Sequence, residues 1–243
     1  SYGKFVSQQV AKLGRHHPMV RTQYYSEDID SAGGLFPPSR LSLIYGTFPC
    51  QALPLPGEVY VMSIDVAGED ENIVSGLDYL SNPGRDSTAL TIARVTFSSS
   101  NSLSFSLPTY DIVYRQSWIG VKHTSIYSVI LNLFSSWNIR YLIVDSTGVG
   151  AGLFSFLQKS LGDRVIPFIF SSKTKSLLGW NFLAAIDSGR FHSYSSSVEN
   201  SVQLTDLNNL FFKQLEFCQF KIIPGPDKKP TLVFQNGQFF HPG

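Results

Sequence analysis

Cysteine is scarce in this chain of 243 residues, which contains only Cys50 and Cys218. The two lie far apart in the sequence, and neither has another cysteine or a histidine at metal-ligand spacing, so no disulfide framework or zinc site is predicted. No stretch approaches the run of about 18 apolar residues that a membrane span requires, and the N-terminus lacks the apolar core of a signal peptide. We therefore expect a protein of a reducing, cytoplasmic setting with no membrane partner.

Two common catalytic motifs are also missing. No Gly-x-x-x-x-Gly-Lys-Ser/Thr loop occurs, which excludes a Walker-type ATPase, and no Gly-x-Ser-x-Gly elbow indicates a serine hydrolase. The glycines of residues 148–152 follow an apolar run, but Leu153 or Ser155 stands where a dinucleotide fingerprint needs its third glycine. The net charge of +1 neither favours nor excludes nucleic acid as a partner.

Composition divides the chain into two parts. Residues 14–57 carry paired glycines and several prolines without sustained periodicity, so residues 1–57 are interpreted as a connecting arm. Residues 58–243 are interpreted as the main domain. Three strands, followed by alternating helices and strands, predict a mixed α/β sheet flanked by helices. The predicted strands are 59–65, 87–97, 104–118, 139–145 and 165–170, and the predicted helices are 124–137, 148–161, 177–187 and 198–217.

Two of the predicted strands end in an aspartate, Asp65 and Asp145. Strand-helix-strand connections are right-handed, which favours placing these two strands side by side and their aspartates close together. The apolar character of both strands predicts cover on both faces, so we expect both carboxylates to be desolvated. Such a pair favours magnesium or manganese, and two ions about 3.5 to 4 Å apart can promote phosphodiester hydrolysis. The alternative is that Asp145 only binds backbone amides of the turn that follows it.

Four stretches resemble the nuclease domain of the large terminase subunit of tailed bacteriophages. Ser-Ile-Asp-Val-Ala-Gly (63–68) is similar to that family's first acidic motif, and Ile-Val-Asp-Ser-Thr-Gly-Val-Gly (143–150) is similar to its second. Gly-Arg-Asp-Ser-Thr-Ala-Leu (84–90) resembles the start of the family's second strand. Residues 18–24 followed by residues 33–36 resemble the passage between a terminase's ATPase and nuclease domains. The resemblance implies a ribonuclease H-like fold, with residues 1–57 forming a linker arm from an upstream ATPase domain that this chain lacks.

The same resemblance implies an activity and its participants. Asp65 and Asp145 would be metal ligands, and Asp86 would be a supporting acid unless it only caps a turn or pairs with Arg85. The reaction would be two-metal cleavage of concatemeric double-stranded DNA during packaging, with a portal and a small terminase subunit as further partners. The family's third acidic motif has no counterpart before Gly243, and we expect the chain to stop just short of it. The alternative function is therefore a ribonuclease H-like module that binds DNA or protein with an incomplete catalytic site.

Basic residues near the strand ends are the candidates for DNA contact. Lys173 and Lys175 follow the predicted strand 165–170 in a loop rich in serine and threonine, and Arg190 follows a predicted helix, so all three are expected near the strand ends. Lys228 and Lys229 lie between two prolines at a predicted hairpin tip. The alternative is that each of the five is an ordinary surface charge, and none predicts readout of base sequence.

Overall fold

The computed structural model describes residues 34–68, 87–97, 107–195, 202–224 and 230–234, together with positions 7 and 10. The described helices are α1 (Pro38–Leu41), α2 (His123–Ser136), α3 (Gly150–Leu161), α4 (Ser172–Asp187) and α5 (Val202–Glu216), with a short 3-10 helix at Gly162–Arg164. The described strands are β1 (Val59–Asp65), β2 (Ser87–Thr96), β3 (Thr109–Ile119), β4 (Tyr141–Asp145), β5 (Val165–Phe168), β6 (Phe191–Ser193), β7 (Phe220–Pro224) and β8 (Pro230–Phe234).

A mixed six-stranded sheet organises the domain, with the order β5-β4-β1-β2-β3-β6. Strands β1, β2 and β3 are antiparallel neighbours. Strand β4 runs parallel to β1, β5 runs parallel to β4, and β6 runs parallel to β3. Strands β7 and β8 form a separate antiparallel hairpin. The predicted fold class, three antiparallel strands followed by alternating helices and strands, is therefore confirmed.

Helices α2 and α3 cover one face of the sheet. Their apolar side chains recur at helical spacing, which gives each helix one buried stripe. The stripes pack against alternate residues of the strands, because successive strand residues point to opposite faces. The main core so formed includes Ile126, Ile130 and Phe134 of α2, Leu153 and Leu157 of α3, and Met62, Ile64, Leu142 and Val144 of the sheet.

A second core joins α4, α5 and the β7–β8 hairpin. Helix α4 begins earlier than predicted, at Ser172, because the sequence contains a capping box. The Ser171 hydroxyl accepts a hydrogen bond from the Thr174 amide, and the Thr174 hydroxyl accepts one from the Ser171 amide. Among the described residues, none of the helices combines the length and hydropathy needed to cross a membrane.

The described part of the predicted arm, residues 34–57, packs against the domain. Leu35, Phe36 and Ile44 are buried in the second core. The amide of Ser193 donates to the Ile44 carbonyl at 2.7 Å, so this segment extends the sheet edge beside β6. The predicted division at residue 57 consequently does not separate two independently packed units. The origin of the arm in an upstream ATPase domain stays a prediction.

Candidate metal centre

Asp65 and Asp145 end two neighbouring parallel strands. The β1–β4 register pairs Ile64 with Val144, so the two aspartates are the next residues along adjacent strands, whose spacing is about 4.8 Å. Both side chains point to the face opposite Ile64 and Val144, which lie in the core under α2 and α3. The predicted proximity of the two strand ends is confirmed, and both carboxylates belong to one face of the sheet.

The prediction that both carboxylates are desolvated is wrong. Asp65 is exposed and Asp145 is half-buried. Only one face of β1 and β4 is well covered: Ser63 is exposed on the other face, and Tyr141 is 41% exposed there. Apolar residues in these strands therefore do not imply a sheet covered on both sides. The open face leaves the two carboxylates accessible to a hydrated cation and to a large substrate.

One oxygen of Asp145 is occupied by the turn that follows it. The amide of Thr147 donates to Asp145 Oδ1 at 2.8 Å, so the alternative interpretation of Asp145 is correct for this oxygen. The Thr147 hydroxyl in turn accepts from the Phe170 amide at 2.8 Å, and Gly148 adopts the left-handed conformation at φ 56°. Within the described residues, no hydrogen bond reaches Asp145 Oδ2. The turn thus orients the carboxylate and leaves Oδ2 for a further partner.

The chain that leaves Asp65 is also fixed, by side chains that the sequence analysis missed. The Ala67 amide donates to Thr88 Oγ1 at 3.0 Å, and the Ala67 carbonyl accepts from His123 Nε2 at 2.9 Å. Thr88 is 3% exposed. A buried threonine near a strand start is a weak signal, because its partner is decided by the packing of another segment.

The donors present suit a hard divalent cation. Carboxylate oxygens are the ligands that magnesium and manganese prefer. No set of three or more histidine, cysteine, aspartate or glutamate side chains that could hold a metal occurs within the part of the chain that the structure describes. Asp86, the predicted supporting acid, lies outside the described residues. Asp65 and Asp145 accordingly supply oxygen donors of the kind that such an ion takes, from the ends of adjacent strands.

Lys173 and Lys175 lie near the same end of the sheet as the aspartates. Asp145 pairs with Phe168, the last residue of β5, and α4 begins shortly afterwards. Both lysines are exposed in the first turn of this helix rather than in the predicted loop. Lys175 Nζ lies 5.6 Å from the centre of the Phe170 ring. Their charges are therefore available at the sheet end that carries the carboxylates.

Arg190 lies at the other end of the sheet. It directly precedes Phe191, which pairs with Tyr110 near the start of β3, whereas Asp65 is level with Ser117 near the end of that strand. Seven residues of strand correspond to about 23 Å. Its guanidinium donates to two groups of adjoining loops. The prediction that Arg190 lies near the aspartate-bearing strand ends is therefore wrong. Lys228 and Lys229 lie outside the described residues.

Arg115 is a buried cation on the face that carries the two aspartates. It pairs with Thr91, which pairs in turn with Ser63, so all three share that face. Arg115 Nη1 donates to Ser193 Oγ at 2.7 Å and to Asn208 Oδ1 at 2.9 Å. Among the described residues, it forms no ion pair with a carboxylate. Burial lowers the pKa of the Arg115 guanidinium.

Solved structures provide the comparison, since the sequence matches no protein-family profile and no curated protein. The large terminase nuclease of thermophilic phage G20c with bound magnesium has a TM-score of 0.54, covering 84% of this chain and 88% of that chain at 13% identity. The same nuclease with bound cobalt also gives 0.54. The large terminase nuclease domain of Thermus phage P74-26 gives 0.50, covering 82% and 84% at 12% identity. The chain therefore has the ribonuclease H-like fold of the nuclease domains of phage large terminase subunits, as the sequence resemblance predicts.

Proposed function

We propose that this chain is a divalent-metal-dependent endonuclease domain of a phage DNA-packaging terminase, which hydrolyses phosphodiester bonds of concatemeric double-stranded DNA. The observation that carries the proposal is the alignment of Asp65 and Asp145 at the ends of adjacent parallel strands, on an open face of the sheet. The fold supports the same function, because a structural neighbour binds magnesium.

Asp65 and Asp145 are assigned as the ligands of magnesium or manganese, with two ions expected. The ions would supply Lewis-acid stabilisation of the phosphodiester charge and a lowered pKa of bound water. Asp145 presents Oδ2, because its Oδ1 accepts from Thr147. Asp65 contributes from the adjacent strand, and its exposure admits the scissile phosphate. Asp86 is kept as the supporting acid.

Lys173 and Lys175 are assigned to DNA phosphates, since they project from the first turn of α4 near the carboxylate end of the sheet. Arg190 lies about 23 Å along the sheet from the level of Asp65, so it contacts the same duplex only if the DNA extends across that distance. Lys228 and Lys229 complete the set as a proposed contact from the hairpin between β7 and β8. Phosphate contacts carry no base information, so cleavage is expected to be weakly sequence-specific.

The wider assembly follows from the same proposal. An upstream ATPase domain would move the DNA, and a portal and a small terminase subunit would be the protein partners. The site of action would be the cytoplasm of the bacterial host. A binding module with an incomplete catalytic site is the second candidate, because the described residues bring together two acids rather than three.

The test is cleavage of supercoiled plasmid in manganese or magnesium by the chain and by a form extended past Gly243. Asp65→Asn and Asp145→Asn keep side-chain shape but remove the charge that holds the metal. We expect each to lower the nicking rate by about 100-fold or more. The matched control is Asp163→Asn. Asp163 is an exposed acid in the 3-10 helix that precedes β5, at the end of that strand away from the two aspartates, and this variant should cleave like the wild type.

Two outcomes would contradict the nuclease. Cleavage that survives both Asp65→Asn and Asp145→Asn would remove the two-aspartate site. DNA binding that is independent of metal, with no nicking even by the extended form, would favour the binding module instead.

A further inference from the structure

The segment immediately after Asp65 leaves the sheet, and side chains of two other elements form hydrogen bonds with its backbone. The β1–β2 ladder ends at the pair Asp65 and Ala89. Beyond it, the Ala67 amide donates to Thr88 Oγ1 at 3.0 Å, and the Ala67 carbonyl accepts from His123 Nε2 at 2.9 Å. The backbone amide and the backbone carbonyl of Ala67 thus each bind a side chain, one from β2 and the other from α2.

Thr88 lies in the interior, whereas Ala67 and His123 are half-buried. Thr88 is 3% exposed, and Val66, which precedes Ala67, is 6% exposed in the main core. Because the Thr88 side chain is buried, removing its hydroxyl leaves the Ala67 amide without its acceptor on that side. The turn would then shift until the amide finds another acceptor.

A shift of the turn at Ala67 would move the carboxylates of both Asp65 and Asp145. Asp65 is separated from Ala67 by Val66 alone, so rotation of the Ala67 peptide redirects the end of β1. Gly150 connects the same turn to the other strand, because a Cβ at Gly150 would lie 3.3 Å from Val66 Cβ and 2.0 Å from the Asp145 carbonyl oxygen. The two turns that follow the acids are therefore packed against each other.

We propose that Thr88 and His123 are positioning residues for the metal centre: through Ala67 they fix the direction of the Asp65 carboxylate. This inference rests on the proposed function, since it assumes that Asp65 binds a metal ion. Partners that orient metal ligands typically change metal affinity by about 10- to 100-fold when they are removed. Neither residue contacts the ion or the substrate in this proposal.

The test is binding of Mn²⁺ to the full chain, measured by isothermal titration calorimetry together with the thermal unfolding temperature. Thr88→Val removes the hydroxyl and keeps the shape, whereas Thr88→Ser keeps the hydroxyl. We expect Thr88→Val to weaken Mn²⁺ binding about tenfold and Thr88→Ser to remain within about twofold of wild type. Thr96→Val is the matched control at the far end of β2, and it should bind Mn²⁺ like the wild type.

His123 provides a second pair of variants in case Thr88→Val does not fold. The His123→Gln amide can donate the same hydrogen bond to Ala67, and His123→Leu cannot. We expect His123→Leu to weaken Mn²⁺ binding about tenfold and His123→Gln to bind more tightly than His123→Leu.

A purely structural role would lower the unfolding temperature and leave Mn²⁺ affinity unchanged in the folded protein. Wild-type affinity in folded Thr88→Val or in folded His123→Leu, combined with weakened binding in Asp65→Asn, would overturn this inference and keep the metal site. Wild-type affinity in Asp65→Asn would overturn both the metal site and the inference.

Discussion

Gly150 lies directly against the backbone of Asp145: a Cβ on Gly150 would be 2.0 Å from the Asp145 carbonyl oxygen. Helix α3 begins at this glycine, so its first turn packs under the strand end that carries the acid. The close approach explains why this position of the turn requires glycine, because any side chain would force the helix and the strand apart. Helix α3 and the candidate metal ligand are thereby held in one fixed arrangement.

Gly150→Ala should destabilise the protein, because backbone rather than a flexible side chain must move to admit the methyl group. We expect the free energy of unfolding to fall by about 1 to 3 kcal/mol, measured by urea denaturation. Gly152→Ala in the same helix is the matched control, since a Cβ there meets nothing within 4 Å. That control should be neutral or stabilise by roughly 0.5 to 1 kcal/mol. Equal stability of the two variants would contradict the close contact.

Arg115 and Asn208 should respond unequally to substitution. Asn208 Oδ1 accepts from Arg115, and its amide donates to the Tyr194 carbonyl at 2.9 Å. Asn208→Leu leaves the buried guanidinium without its carbonyl acceptor, which should cost about 2 to 3 kcal/mol. Arg115→Met removes the buried charge, and Asn208 keeps a hydrogen bond from Ser193 Oγ at 2.7 Å. We therefore expect Arg115→Met to be the milder change in urea denaturation.

A double-mutant cycle provides the check on this buried pair. The Arg115→Met and Asn208→Leu double variant should be less destabilised than the sum of the single variants, because the unpaired charge is gone. Additive losses would show that the Arg115 and Asn208 side chains do not depend on each other.

Arg40 should stabilise the packing of residues 34–57. Its Nε and Nη2 donate to the two carboxylate oxygens of Asp187 at 2.6 and 3.0 Å, which joins α1 to the end of α4. Arg40→Ala should lower the free energy of unfolding by about 1.5 to 3 kcal/mol, and Arg40→Lys by less, since lysine keeps the charge but not the two-point geometry. Arg140→Ala is an exposed control and should stay within about 0.5 kcal/mol of wild type. Limited proteolysis should cut residues 34–57 faster in Arg40→Ala only.

The Cys50 thiol should make the free energy of unfolding depend on pH. Burial raises the pKa of its thiol from 9.0 to about 11. The raised folded-state pKa means that the folded protein holds the proton more tightly. The contribution of the thiol to the free energy of unfolding is therefore complete below pH 9 and is lost as the pH rises through 11. In a Cys218→Ser background, alkylation of Cys50 at pH 8 should be roughly 100-fold slower in the folded state than in urea. Equal alkylation rates would contradict the burial of the thiol.

Local patterns in the sequence were sufficient for most elements of the domain. Continuous apolar runs identified β1 and β4, and helical spacing of apolar residues identified α2 and α3. The order of those elements and the handedness of their connections made Asp65 and Asp145 neighbours. The capping box at Ser171 was present in the sequence but not used, which is why α4 was predicted to start too late.

Those local patterns did not predict which remote segments lie close together or which face of the sheet the helices cover. The exposure of Asp65 depends on which helices cover each face, and the position of Arg190 depends on β6 joining the far edge beside β3. The partners of Ala67 come from β2 and α2. By itself, the sequence determined the types of element and the pair of acids, because both follow from local periodicity and chain order. Only the tertiary structure decided that the acids share an open face and which side chains bind the backbone after Asp65, because those relations arise from packing between segments far apart in the chain.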